Sequence, residues 1–219
     1  MVRHIPQKPR GKHRKRERKL ILLAVEGRRN KTEIGYFRQF NREQKEYRIN
    51  FVSCNETDPI HLVKKAETAW QSEKCDAEFG DLVYCVFDTD TDPIKQREID
   101  EAIRQAGRSN VEIVLSNPCF EVWFILHFGY TSKQFQSNEE VLRELRKNIP
   151  DYEKSADVFS CVQDKTEKAI QNAKRLEQFH AENQDRRGIE CNPGTEVYKI
   201  VEKLIFYQRK DRLKRGKTS

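Results

Sequence analysis

The chain has no Cys-x-x-Cys pair and no Cys/His spacing of the zinc-binding kind. Its six cysteines, at 54, 75, 85, 119, 161 and 191, stand singly. Neither a zinc module nor a disulfide framework fits that distribution. Cys54, Cys85 and Cys119 fall in or beside apolar runs, where the thiol acts as a small hydrophobe. Reduced thiols in a cytoplasmic protein are the expectation. No apolar stretch is long enough to span a membrane, and the basic N-terminal segment lacks the apolar stretch of a signal peptide. Internal repeats and long linkers are also missing. Apolar residues make up only 36% of the 219 residues and charged ones 35%, with a formal net charge of +7. A basic balance of this size points to a polyanionic partner, but weakly.

The scarce apolar residues are concentrated in strand-length runs. Residues 20–25 (LILLAV), 49–54, 82–87 and 111–115 each read as a buried strand, and helical patterns separate them. One such pattern carries Ile34, Phe37 and Phe40. Another begins at Asp58-Pro59, an N-cap and N1 pair, with Ile60, Val63, Ala66 and Trp70 as its inner face. A third runs through Ile99, Ala102, Ile103 and Ala106 and stops at Gly107. Strands alternating with helices predict an α/β fold with a mainly parallel four-stranded sheet and right-handed crossovers, in the order 2-1-3-4.

Residues 129 onward read as helical. Ser137-Asn138-Glu139-Glu140 is a capping box, and Ala169, Ile170, Ala173, Leu176 and Phe179 form a stripe. A last helix holds Val197, Ile200, Val201, Leu204 and Ile205. The organisation expected is a basic unfolded arm over 1–19, an α/β domain over 20–130, a helical extension over 131–207 and a basic tail over 208–219.

Two acidic motifs end two of the strands. The third strand runs into Asp88, Asp90 and Asp92 at alternate positions. The first runs into Glu26-Gly27, in a loop that also carries Arg28, Arg29 and Lys31. In the order 2-1-3-4, strands one and three are neighbours at the point where the connections diverge, which is where open α/β sheets bind ligands. Topology alone therefore brings Glu26 to Asp88 and Asp90. Clustered carboxylates there suit Mg²⁺ or Mn²⁺. A further acid, Glu121, opens the buried apolar stretch 122–128 on the same edge, with Asn117 as the expected N-cap and Pro118 as N1. Glu121 is a candidate second-metal ligand, though a carboxylate there also serves as a helix-dipole partner. His127 reads as a satisfied buried histidine. Lys12, Arg14, Lys15 and Arg16 in the basic arm, with Arg28, Arg29 and Lys31, are candidate phosphate contacts.

The Glu26-Gly27 turn and Asp88-Thr89-Asp90 resemble the two signatures of Toprim domains. More closely, LLAVEGRRNKTEIGYF (22–37), VYCVFDTD (83–90), SNPCFEVWFILHF (116–128) and NPGTEVYKIVEKL (192–204) resemble the RloB family of bacterial defence proteins. The resemblance runs through most of the chain. It implies a Toprim-like, Mg²⁺-dependent endonuclease acting on RNA, tRNA among them, or on DNA, in anti-phage defence or abortive infection. It also implies an ATPase partner and leaves room for a homo-oligomer. Asp88, Asp90, Asp92 and Glu26 would then be metal ligands, with Glu26, Asp88, Asp90 and Glu121 catalytic. Asp92 departs from the usual hydrophobic or glycine residue after the motif, so which aspartates bind metal stays open. Two other readings stand. One is a haloacid-dehalogenase-type phosphatase with Asp88 as nucleophile, although that motif belongs on the first strand of its sheet. The other is a non-catalytic sensor or adaptor of an ATPase complex.

Overall fold

Each apolar run is a strand of one sheet. The computed structural model describes residues 17–26, 32–42, 45–52, 54, 58–90, 95–154 and 156–215. β1 (Lys19–Val25), β2 (Tyr47–Val52), β3 (Leu82–Asp88) and β4 (Val111–Asn117) are parallel, in the order β2-β1-β3-β4. The expected order holds, but the sheet has a fifth strand. β5 (Gly194–Thr195) pairs antiparallel with the end of β4, Thr195 opposite Ser116 and Gly194 opposite Asn117. Two residues carry no periodicity, so β5 left no mark in the hydrophobic pattern.

Successive side chains of a strand point to opposite faces, and both faces here are covered. Leu20, Leu22, Ala24, Val83, Cys85 and Phe87 pack against α2 (Pro59–Ser72) and α3 (Lys95–Ala106). Ile21, Leu23, Val25, Tyr84, Val86 and Val114 face the other way. They pack with α1 (Thr32–Gln39), α4 (Glu121–Phe128), α5 (Asn138–Arg146), α7 (Thr166–Glu182) and α8 (Val197–Arg215) in the larger core. A short α6 (Phe159–Val162) and a 3₁₀ turn precede α7. Asp58 caps α2 as expected, its Oδ1 accepting from the Ile60 amide at 2.8 Å. Ser137 caps α5, its Oγ accepting from the Glu140 amide at 3.3 Å. On α2 the buried residues are Leu62, Val63 and Ala66, while Ile60 and Trp70 are only half-buried.

Asn117 is not the N-cap of α4. β4 continues through it because β5 pairs alongside. Its amide nitrogen donates to the carbonyls of Gly188 and Ile189 at 2.9 and 2.7 Å. The helix begins only at Glu121. Arg187 fastens the same return loop: it donates to the Ile113 carbonyl at 2.8 Å and to both carboxylate oxygens of Glu196, one of which also accepts from the Leu115 amide. Phe179 departs from the stripe expected of α7. It is 36% exposed, whereas Ala169, Ile170, Ala173 and Leu176 are buried. α8 runs to Arg215, so the helix enters the segment expected as a basic tail.

α4 is apolar nearly all round, and the fold gives it the burial that requires. Its His127 is fully buried against Trp123, with ring centroids 4.7 Å apart and Nδ1 at 2.9 Å from the Trp123 carbonyl. Nε2 finds no partner among the described residues. Burial lowers the imidazole to about 4 from 6.5, outweighing the pull of the Trp123 carbonyl. A His depressed in this way is neutral when folded and protonates first in the unfolded chain. The stability it allows is whole above about pH 6.5 and drains as pH falls through about 4. Replacing His127 with Leu should remove up to roughly 3 kcal/mol of that acid sensitivity. Urea denaturation at pH 7.5 and pH 4.5 measures it. An unchanged difference between the two pH values would show that His127 is not the source.

Candidate acidic centre at the switch point

β1 and β3 lie side by side, but the chain leaves them in opposite directions, to β2 and to β4. Glu26 follows directly on β1, and its amide donates to the Val86 carbonyl at 3.4 Å. Asp88 closes β3 opposite Ser116 of β4. Two backbone bonds fix the turn after it, from the Thr89 amide to the Ser116 carbonyl at 2.9 Å and from the Asp90 amide to the Pro118 carbonyl at 3.1 Å. Asp90 takes a left-handed φ of 51°, which Asp tolerates better than most residues. Two helices aim their N-termini at the same edge. α1 brings Thr32 and Glu33, both buried, and α4 brings Glu121, which is 2% exposed.

The electrostatics show how these acids are gathered. The Asp88 carboxyl is raised well above its ordinary value. Burial is the main cause, followed by the charges of Glu33, Glu121, Glu26 and Asp90 in that order. Carboxylates from two strand ends and two helix starts thus act on one point. Glu121 Oε1 accepts from the Tyr152 hydroxyl at 2.9 Å and from the Thr32 hydroxyl at 3.5 Å. Burial and the Glu121 charge push the Tyr152 hydroxyl and the Cys119 thiol upward, so both stay protonated as donors. Among the described residues, Lys95 reaches the cluster. Lys95, the first residue of α3, pairs through Nζ with Asp90 Oδ2, while Asn138 Nδ2 lies 3.4 Å from Asp90 Oδ1. Burial works to lower the Lys95 ammonium, but the Asp90 hydrogen bond and the charges of Asp90, Glu26 and Asp88 prevail and raise it.

Glu26, Asp88, Asp90 and Glu121 come together as the topology implied. Glu33, Lys95, Thr32 and Tyr152 were not read as site residues. Lys95 had a signal in the sequence, since a cation in the first turn of a helix opposes the helix dipole. Glu33 had none, because an acid in that position is what the dipole favours. Asp92, Arg28, Arg29, Lys31, Lys12, Arg14, Lys15 and Arg16 lie outside the described residues. Among the described residues no three His, Cys, Asp or Glu side chains gather tightly enough to enclose a metal ion. The acids lie within electrostatic range of one another without forming a finished cage.

The fold and this edge define an α/β protein with an acidic centre at the switch point of a mostly parallel sheet. The family model of RloB-like proteins matches residues 21–204, and the chain belongs to that family. No curated protein matches the chain, and no solved structure does. Among the described residues no helix is long and apolar enough to cross a membrane.

Proposed function

We propose that this protein is a metal-dependent nuclease with a Toprim-like centre, acting as an effector in bacterial anti-phage defence. The observation that carries the reading is the convergence of Glu26, Glu33, Asp90 and Glu121 on Asp88. A bank of mutually repelling carboxylates at a ligand-binding edge is unfavourable unless something positive is to be held there. Oxygen donors alone, with no thiolate or imidazole among them, suit Mg²⁺ or Mn²⁺. Asp88 and Asp90 would hold the ion from the β3 end and Glu26 from the β1 end. When bound, the ion supplies Lewis-acid polarisation of a phosphoryl oxygen and activation of water. Glu26, half-buried just after β1, would share the ion or move a proton. Glu121, which already accepts from Tyr152 and Thr32, orients the bottom of the site. Arg28, Arg29 and Lys31 follow Glu26 in the sequence and would meet the phosphate backbone.

The non-catalytic adaptor has one observation in its favour: no finished metal cage is present among the described residues. A phosphatase with Asp88 as nucleophile fits less well, because Asp88 ends the third strand in chain order and not the first, and Glu26 is left without a role. Full-length protein, alone and with an ATPase partner, should cleave labelled tRNA, single-stranded DNA or plasmid DNA in Mg²⁺ or Mn²⁺ and not in EDTA. Failure on every substrate, with defence retained by Glu26→Gln, would establish the adaptor.

A further inference from the structure

We propose that Lys95 is a built-in counter-cation of the acidic centre, which a divalent metal must displace from Asp90 before the centre can be loaded. The inference rests on the metal-binding reading of that centre and assigns a role to a residue outside its carboxylates.

Lys95 touches the candidate ligand directly, Nζ to Asp90 Oδ2, with the two side chains 26% and 38% exposed. The pair is therefore not a fully solvated surface contact, and its charges are only partly screened. Its position adds to the case. Lys95 opens α3, where the positive end of the helix dipole disfavours a cation. A lysine there gains from Asp90 what it loses to its own helix. Gln96, the next residue, anchors the helix start: its side chain accepts from the Ile189 amide at 2.9 Å and donates to the Arg187 carbonyl at 3.1 Å. The base of the Lys95 side chain is thus held, and only its long stem has to move.

Among the described residues, the other contact to the Asp90 carboxylate is a long one. The contact from Asn138 is 3.4 Å long, near the limit for a hydrogen bond. An ammonium carries a single charge and three N–H donors. It can satisfy one carboxylate, but it cannot draw Glu26, Asp88 and Asp90 into one shell, as a small divalent ion does through six oxygens. A metal that gathers them must first compete with the lysine.

The test is Mn²⁺ affinity of the full chain without nucleic acid, measured by electron paramagnetic resonance and by calorimetry. Wild type is compared with Lys95→Met, which keeps the stem and removes the charge, and with Lys95→Arg, which keeps both. Lys95→Met should bind Mn²⁺ about tenfold more tightly than wild type, and Lys95→Arg about as wild type does. Asp90→Asn should erase the difference between Lys and Met at position 95. Equal or weaker binding by Lys95→Met overturns the proposal while leaving the metal site standing. An absence of Mn²⁺ binding in all variants overturns the metal reading and this proposal together.

Discussion

Asp88→Asn is expected to reduce metal-dependent cleavage by on the order of 10³-fold or more, while making the metal-free protein more stable. The first effect comes from position. Asp88 is the point on which the other four acids act, at the end of the central strand of the switch point. Losing a metal-holding carboxylate removes charge stabilisation from the transition state, and 10³-fold corresponds to roughly 4 kcal/mol. The second effect comes from repulsion. An amide keeps the shape of the side chain and removes the charge that burial and four neighbours oppose. The gain should appear as a higher melting temperature of the variant than of wild type in EDTA at neutral pH.

The sign of the pH dependence is fixed by the same shift. A carboxyl raised in the folded state takes up its proton before the unfolded chain does, so the metal-free wild type gains stability from Asp88 as pH falls toward the ordinary carboxylate range. His127 acts in the opposite sense over part of that range. Asp88→Asn should therefore steepen the loss of stability in acid, and His127→Leu should flatten it. Mg²⁺ should raise the melting temperature of wild type more than that of Asp88→Asn, because only a ligand bound to the native state stabilises it. Cleavage by Asp88→Asn at the wild-type rate would remove Asp88 from the mechanism. A variant that melted well below wild type would show that the carboxylate is structural.

The parts of this centre legible in the sequence are those that the strands deliver. Glu26 and Asp88 each come after a run of apolar residues, and the parallel order β2-β1-β3-β4 is what alternating strands and helices produce. Their meeting is a consequence of period and topology. Contributions from helix starts are harder to see. Glu33 and Glu121 both occupy first turns, where any acid is favoured by the dipole, so neither residue type nor spacing separates a site residue from an ordinary one. Asn117 shows a different obscurity. Its residue type and the adjacent Pro118 fit an N-cap, but its amide is committed to Gly188 and Ile189, seventy-odd positions away in the chain. β5 and the return loop behind it depend on such contacts, which leave no local pattern. Phe179 sits at helical spacing from Leu176, yet it lies near the edge of the buried stripe.

Glu33 is the strongest test of what the structure adds, and Glu33→Gln is expected to lower cleavage by roughly 10²-fold, the scale for residues that support a metal site. After burial, Glu33 is the largest influence on the Asp88 carboxyl, ahead of Glu121 and Glu26. It is only 6% exposed, so its charge acts through protein and not through water. Thr32 beside it reaches Glu121 across the site, which makes the start of α1 a strut between the two buried acids. The comparison with Glu121→Gln separates charge from scaffolding. Glu121 accepts from two hydroxyls through a single oxygen, and one of them, on Tyr152, ties the site to the segment after α5. Its amide variant should lose stability as well as activity, because the Tyr152 hydrogen bond weakens when its acceptor is neutral. Glu33→Gln should keep the wild-type melting temperature or exceed it, by the same relief of repulsion that Asp88→Asn brings. Single-turnover cleavage of the two variants, set beside thermal denaturation in EDTA and in Mg²⁺, distinguishes them. Wild-type cleavage by Glu33→Gln would reduce Glu33 to a helix-dipole partner and leave the centre to the residues at the strand ends.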